Sequence, residues 1–429
     1  MAGPPHNAGF DTQKAWIQSA GVALAILAFI NLFNYLDRYV LSALLETLKH
    51  SELALSDTQL GLLMFGFLIV YSVTAPMFGA LGDRFSRPRL IAFGIGCWSV
   101  ATALSGLAGS FAALFAARAS VGVGEAAYVT VGPSLLSDYF PRAQRGRVMA
   151  IFFCAIPVGT ALGYIVGGFM GVHFGWRMAF FVAGIPGLAL ALLCLGLADP
   201  PRGGQDPDSP AAGASTPADR STYLELLRNK PYVLTVLGYA AYTFALGGLA
   251  YWMPAFLQRI RGMSPGQATV SFGSIVVITG FLGTFAGGWL GDHFAKYSQR
   301  AYLWISAVAT LAAVPFVWVA LTQVTQAAYL VCMVIAQLLM FLSTGPINAA
   351  ILNLVLPTQR ASANALGVFT IHVLGDVPSP LLIGLISDHA SLLQAVKLVP
   401  AAVVVAAAVW VCAALAQRPT QSLAPKEAT

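Results

Sequence analysis

The chain has 429 residues, of which 58% are hydrophobic and 9% charged, with a net charge of +6. Such a balance excludes a soluble globular protein and a disordered one, because most of the chain must be solvated by lipid. The excess of 23 Lys and Arg over 17 Asp and Glu does not read as nucleic-acid binding, since the bias of basic residues toward alternate loops already accounts for it.

Apolar segments near the roughly 20-residue length of a membrane span begin near residues 17, 57, 89, 112, 144 and 176, then near 232, 266, 299, 324, 360 and 392. Lipid offers the backbone no hydrogen-bond partners, so these twelve spans are helices, and the short alternating segments of a barrel are absent. With the N-terminus inside, Lys14, Arg84, Arg87, Arg89, Arg142, Arg145 and Arg147 fall on the inner side. So do Arg202, Arg220, Arg228, Lys230, Lys296, Arg300, Arg360, Arg418 and Lys426. The positive-inside rule therefore places a multi-pass protein in the plasma (inner) membrane with both termini cytoplasmic. The first span lacks a preceding basic region and a small-residue cleavage site, and reads as a retained helix.

Residues 199–220 switch to Pro, Gly, Ser, Ala and Asp, the composition of a flexible linker. The expected organisation is a six-helix half over 1–198, a cytoplasmic linker over 199–231 with a short amphipathic stretch at 223–227, a second six-helix half over 232–416, and a tail over 417–429. A repeat supports this division. Gly79, Leu81, Gly82, Asp83 and Arg84, followed by Arg87 and Arg89, return as Gly288, Leu290, Gly291, Asp292 and His293. Upstream, Leu55, Ser56 and Gln59 are answered by Met263, Ser264 and Gln267. Duplicated halves in a membrane rock against each other around a site between them.

Two six-span halves, a central linker and the 79–89 signature resemble the major facilitator superfamily. Arg118, Gly122 and Gly124 in span four, and Pro157, Gly159, Gly163, Gly167 and Gly168 in span five, fit further patterns of that superfamily. Small residues at every fourth position also let helices approach closely, so the Gly159 run has a plain packing explanation. Asn34, Tyr35, Leu36, Asp37, Arg38 and Tyr39, with Gly122 to Tyr128 and then Pro133, Ser134, Asp138 and Phe140, resemble the Spinster family. The resemblance implies an all-α fold of two pseudo-symmetric six-helix halves and a cavity drawn from spans one, four, seven and ten. It also implies a carrier of lysolipids or sphingoid phosphates that works as a monomer.

A charge at mid-membrane costs about 2.5 to 3.5 kcal/mol on insertion scales, which makes buried ionisable residues functional candidates. Asp37 and Arg38 are adjacent in span one, about 100° apart on a helix. Arg118 and Glu125 lie seven apart in span four, along one face. If both spans line the cavity, the four residues form one near-neutral cluster. Desolvation raises a carboxyl pKa and a nearby Arg lowers it, so a moving Arg can swing an acid across the working pH. Asp37 and Glu125 are thus expected to titrate, with Arg38 and Arg118 pairing with them or holding an anionic substrate group; the competing reading is a static ion-pair network. Asn34, Tyr35 and Tyr128, with Tyr239, Tyr242 and Trp252 in span seven, are candidate substrate contacts. His372 and Asp376 in span eleven form a possible second titrating pair. Asp83, with Arg84, is expected to latch the outward-open state by accepting hydrogen bonds from a helix N-terminus in the other half, and Asp292 to do so more weakly. For Arg87 and Arg89, surface anchoring is the simpler expectation.

The cysteines, Cys97, Cys154, Cys194, Cys332 and Cys412, sit in apolar spans without metal-like spacing. Gly122, Gly124 and Ala127 match a dinucleotide fingerprint only in letters, because no strand precedes them. No phosphate-binding loop, zinc spacing or nucleophile with a base stands out, so neither an enzyme nor a cofactor is expected. The expected function is proton-coupled alternating-access transport of a lysolipid, sphingoid phosphate or similar amphipathic anion. Small organic anions, sugars or drugs are the alternative cargo, and a non-transporting receptor or scaffold the alternative of another class. Partners are the substrate, protons and the bilayer.

Overall fold

The computed structural model describes residues 17–203, 205, 220–356 and 359–417. Most of the expected linker, Lys14, and the tail with Arg418 and Lys426 lie outside the described residues. The first bundle comprises α1 (Ala20–Ala43), the short α2 (Leu45–Lys49), α3 (Asp57–Arg84), α4 (Arg87–Gly106), α5 (Phe111–Tyr139), α6 (Arg142–His173) and α7 (Trp176–Leu195). After α8 (Arg220–Arg228), which covers the amphipathic stretch, the second bundle opens with α9 (Lys230–Arg259), α10 (Pro265–Ala295) and α11 (Ala301–Thr322). Its last three spans are broken. α12 (Gln326–Leu342) continues into α13 (Thr344–Asn353), α14 (Arg360–Ile371) reaches α15 (Pro378–His389) through a π-helical turn at His372–Asp376, and α16 (Leu392–Ala395) precedes α17 (Leu398–Ala416).

Eleven segments of the described residues are long and apolar enough to cross a membrane. The twelfth expected span is α5, equally long at 29 residues but carrying Arg118 and Glu125. Both are fully buried, so the charges that dilute its hydropathy point into protein, and α5 packs against α3 and α4 as a member of the bundle.

Local sequence explains how the helices start. Ser56 accepts from the Gln59 backbone while the Gln59 side chain returns to Ser56, and Ser264 with Gln267 repeats the same capping box. The paired Ser and Gln of the sequence repeat are therefore two copies of one helix start. Gly159 and Gly163 carry α6 against α1, where an added Cβ would run into the carbonyl oxygens of Leu32 and Leu36. Packing is what that glycine run provides.

The π-helical turn has a chemical cause. Pro378 and Pro380 lack the N–H groups that would reach back to the carbonyls of residues 374 and 376, and Val377 instead donates to His372 O at 3.1 Å. The Thr243 hydroxyl of α9 donates to Ile371 O at 3.0 Å, satisfying a carbonyl at the start of the irregular turn.

The hydrogen bonds and ion pairs that join the two bundles gather at one end, here called the latch end. Asp57 and Glu46 meet Arg259, Asp388 meets the start of α3, the Tyr251 hydroxyl donates to Leu60 O, and the Tyr164 hydroxyl donates to Ala250 O. The opposite end carries Arg84, Arg87 and Arg89 and is called the basic end.

Candidate functional site

At the core of the first bundle, α1 and α5 bring the four ionisable residues together as two cross-helix pairs. Arg38 Nη2 donates to Glu125 Oε2 at 2.6 Å, and Arg118 Nη1 donates to Asp37 Oδ1 at 3.1 Å. Asp37 also accepts from the Thr102 hydroxyl of α4 at 2.6 Å. The ring of Phe67 lies beneath both guanidinium groups, 5.1 Å from Arg38 and 5.9 Å from Arg118, so one aromatic face ties the two pairs. The pairs differ in depth. Asp37 and Arg118 have side-chain exposures of 1% and 0%, whereas Arg38 retains 11%.

Arg38 stacks on Tyr35 at 5.0 Å and on Tyr71 at 5.5 Å. Tyr71 in turn meets the His372 ring edge-on at 5.9 Å, and His372 Nδ1 lies 2.9 Å from Asp376 Oδ1. An unbroken line of contacts thus runs from Glu125 in one bundle to Asp376 in the other.

Between the bundles lies a cavity of about 760 Å³, lined from α1, α6, α9, α10, α12, α13 and the π-helical turn. The expected spans one, seven and ten contribute, but α5, the expected span four, does not line it: its ionisable residues pair with α1 instead. Aromatic and aliphatic groups dominate the wall. Its polar groups include Tyr35, Tyr39, Thr243, Gln337, Asn348 and Asp376, and Asp376 is the one charged residue among the described lining residues. The second bundle supplies most of this polarity. Phe153 of α6 and Phe285 of α10 line the cavity and are 48% and 68% exposed, so two large apolar rings of the wall remain open.

Of the expected substrate contacts, Tyr35 lines the cavity, and Tyr239 stands behind it, accepting from Asn348 Nδ2 at 3.2 Å. Tyr128, Tyr242 and Trp252 are buried away from it. Their polar atoms donate to the carbonyls of Leu27, Met340 and Pro380, which makes them interhelical ties in this state. Arg118 is sealed behind α1, and Asn34 is fully buried with neither amide atom hydrogen-bonded among the described residues.

At the basic end, Asp83 and Arg84 are exposed at the close of α3. Asp292 is held within its own bundle by the Tyr302 hydroxyl at 2.9 Å. Arg87 corrects the anchoring expectation. It is buried, bonded to Asp138 at 2.5 Å and Asp199 at 2.8 Å, and fixes the start of the linker to α5. The long-range partners of Asp57, Arg259 and Asp388 left no sequence signal beyond the capping box, because no local spacing records a contact across some 330 residues.

The Major Facilitator Superfamily profile matches residues 27–377. Human protein spinster homolog 1 is 35% identical over 388 residues, covering 86% of this chain and 73% of that protein. This chain belongs to the Spinster family of the major facilitator superfamily. Drosophila melanogaster protein spinster is 34% identical over 386 residues, and the matched region spans 62% of its length. Among solved structures, a bacterial homolog of the human lysosomal transporter Spinster, inward-facing and unoccupied, superposes with a TM-score of 0.78 at 24% identity, covering 92% of this chain and 96% of that one. A D-xylose-proton symporter gives a TM-score of 0.71 at 18% identity, over 91% and 97% of the two chains. These likenesses support two halves arranged as in membrane transporters of the superfamily.

Proposed function

We propose that this Spinster-family chain is a proton-coupled carrier of a single-tailed lipid, working by alternating access, with the basic end cytoplasmic and the cavity facing inward in this state. The observation that carries the cargo reading is the cavity's composition: a wide apolar wall with exposed rings at Phe153 and Phe285, and a polar pole built on Asp376, Asn348 and Gln337. An acyl chain matches the first and a lipid head the second.

Asp376 refines the expected cargo. A purely anionic head would meet a carboxylate and no cation among the described lining residues. A zwitterionic head, as in a lysolipid or a sphingoid phosphate, sets its ammonium group against Asp376 and the rings of Tyr35 and Tyr39, and leaves its phosphate toward Arg38.

Proton coupling rests on Glu125. It is the buried acid whose Arg partner keeps 11% exposure and stacks on the cavity-lining Tyr35, and its protonation neutralises the group that holds Arg38. Freed Arg38 is then available to a phosphate, and deprotonation draws it back. Asp37 has two partners, Arg118 and Thr102, and positions the pair from behind.

Cys154 lines the cavity and gives a direct test. Lysophosphatidylcholine is expected to protect it from a maleimide at concentrations where sugars and small organic anions do not. Equal protection by sugars or organic anions would move the assignment to the polar-cargo alternative.

A further inference from the structure

The start of α3 is completed by a residue of the other bundle. Its first-turn N–H groups have no partners inside the helix. The capping box satisfies two of them, with Gln59 Oε1 accepting from Ser56 N and Ser56 Oγ accepting from Gln59 N. The N–H groups of Asp57 and Thr58 donate to the two carboxylate oxygens of Asp388, at 2.9 and 2.7 Å, and Asp388 stands at the end of α15. The repeat copy differs: α10 has the same capping box but begins at Pro265, which has no N–H to give. Only the first-half copy is built to receive a carboxylate in this way.

The Asp57 side chain is bound as thoroughly. Arg259 of the second bundle grips it with two bonds, at 2.5 and 2.9 Å, Ser387 donates to it, and Lys49 of its own bundle donates at 2.6 Å. Arg259 extends the clamp to Glu46, at 2.5 and 3.0 Å. α15 comes this near because Gly384 has no Cβ; one would strike the Asp57 carbonyl. Planar, charge-assisted bonds of this kind are strong and directional.

We infer that Asp388, Arg259 and Asp57 form a latch that holds the latch end shut and must release for the cavity to open there. It rests on the alternating-access reading given above. The release is reversible by design. Lys49 travels with Asp57 in the first bundle, so the carboxylate keeps one cation when Arg259 leaves, and the two N–H groups of α3 pass to water. Asp83, exposed at the other end of the same helix, has no such partner among the described residues.

The test reads conformation without needing the cargo. A chain whose only thiol is Cys154, with the other four cysteines replaced by Ala, is labelled with a membrane-impermeant maleimide in intact cells and in inverted vesicles. Asp388→Asn, which loses one charge-assisted bond, is expected to raise labelling from the latch-end side about tenfold relative to the basic-end side, and Arg259→Gln, which gives up bonds to both Asp57 and Glu46, by at least as much. Thr58→Pro removes one donating N–H and the Thr58 hydroxyl that also bonds Asp388, but no charge, in the first turn where Pro is tolerated, and is expected to shift labelling the same way, by at least about threefold. Its result decides the matter should a charge variant fail to fold. Folded variants that label like the parent overturn the latch. Altered labelling with no transport of any lipid would keep the latch and refute the carrier reading.

Discussion

Asp37→Asn and Glu125→Gln each remove one buried negative charge, and the two positions predict different losses. Among the described residues Asp37 is the one carboxylate partner of Arg118, whose side chain is 0% exposed and whose Nε and Nη2 have no hydrogen-bond partner there. Breaking a buried pair from one side typically costs about 3 to 5 kcal/mol, and Asp37→Asn also weakens the bond from Thr102. Arg38, by contrast, keeps 11% exposure and lies against three rings, Tyr35, Phe67 and Tyr71. Glu125→Gln therefore costs less, about 1 to 2 kcal/mol. Its effect falls on coupling instead. One pH unit is worth about 1.4 kcal/mol per proton, enough for about a tenfold accumulation of cargo. Thermal unfolding in detergent, followed by uptake into proteoliposomes under a one-unit gradient, separates the two. Asp37→Asn should lower the unfolding midpoint clearly more than Glu125→Gln. Glu125→Gln should lose gradient-driven accumulation while still exchanging cargo at equal pH. A Glu125→Gln protein that still accumulates about tenfold would refute the assignment of the titrating acid.

Two further outcomes follow from single contacts. Gly159→Val forces side-chain atoms into the Leu32 carbonyl where α6 crosses α1, and should cost about 3 kcal/mol or more by overpacking, seen as loss of monodisperse protein on size exclusion; a variant that unfolds at the parental temperature would show that the two helices can part freely. Asp376→Asn should raise the KM for a zwitterionic lysolipid about tenfold, the loss of one charge-assisted contact, while leaving the KM for a lysolipid without an ammonium group unchanged, and an equal rise for both would place Asp376 away from the head.

Much of the architecture was legible because membrane helices announce themselves by length. The expected starts at 57, 176 and 360 coincide with those of α3, α7 and α14, and the Ser56 and Gln59 repeat marks two capping boxes. The pairing of Asp37, Arg38, Arg118 and Glu125 was legible too, since charged residues in lipid must meet one another and helix geometry leaves few ways to do so. Which face of a span points inward was not. A helix surrounded by lipid and protein is apolar all round and carries no polar stripe to orient it, so Tyr128, Tyr242 and Trp252 could be placed at depth but not on a face. The latch escaped for another reason: Asp57, Arg259 and Asp388 sit at ordinary helix ends, and only the folded chain brings them together. The π-helical turn at His372–Asp376 was foreshadowed by Pro378 and Pro380 alone.

Uptake of lysophosphatidylcholine into proteoliposomes of the purified wild-type chain, with and without an imposed pH gradient, tests the central claim most directly. Proton-coupled carriage predicts accumulation that rises with the gradient, by up to about tenfold per pH unit for one proton, and collapses when a protonophore is added. Flux that is the same with and without the gradient would contradict it.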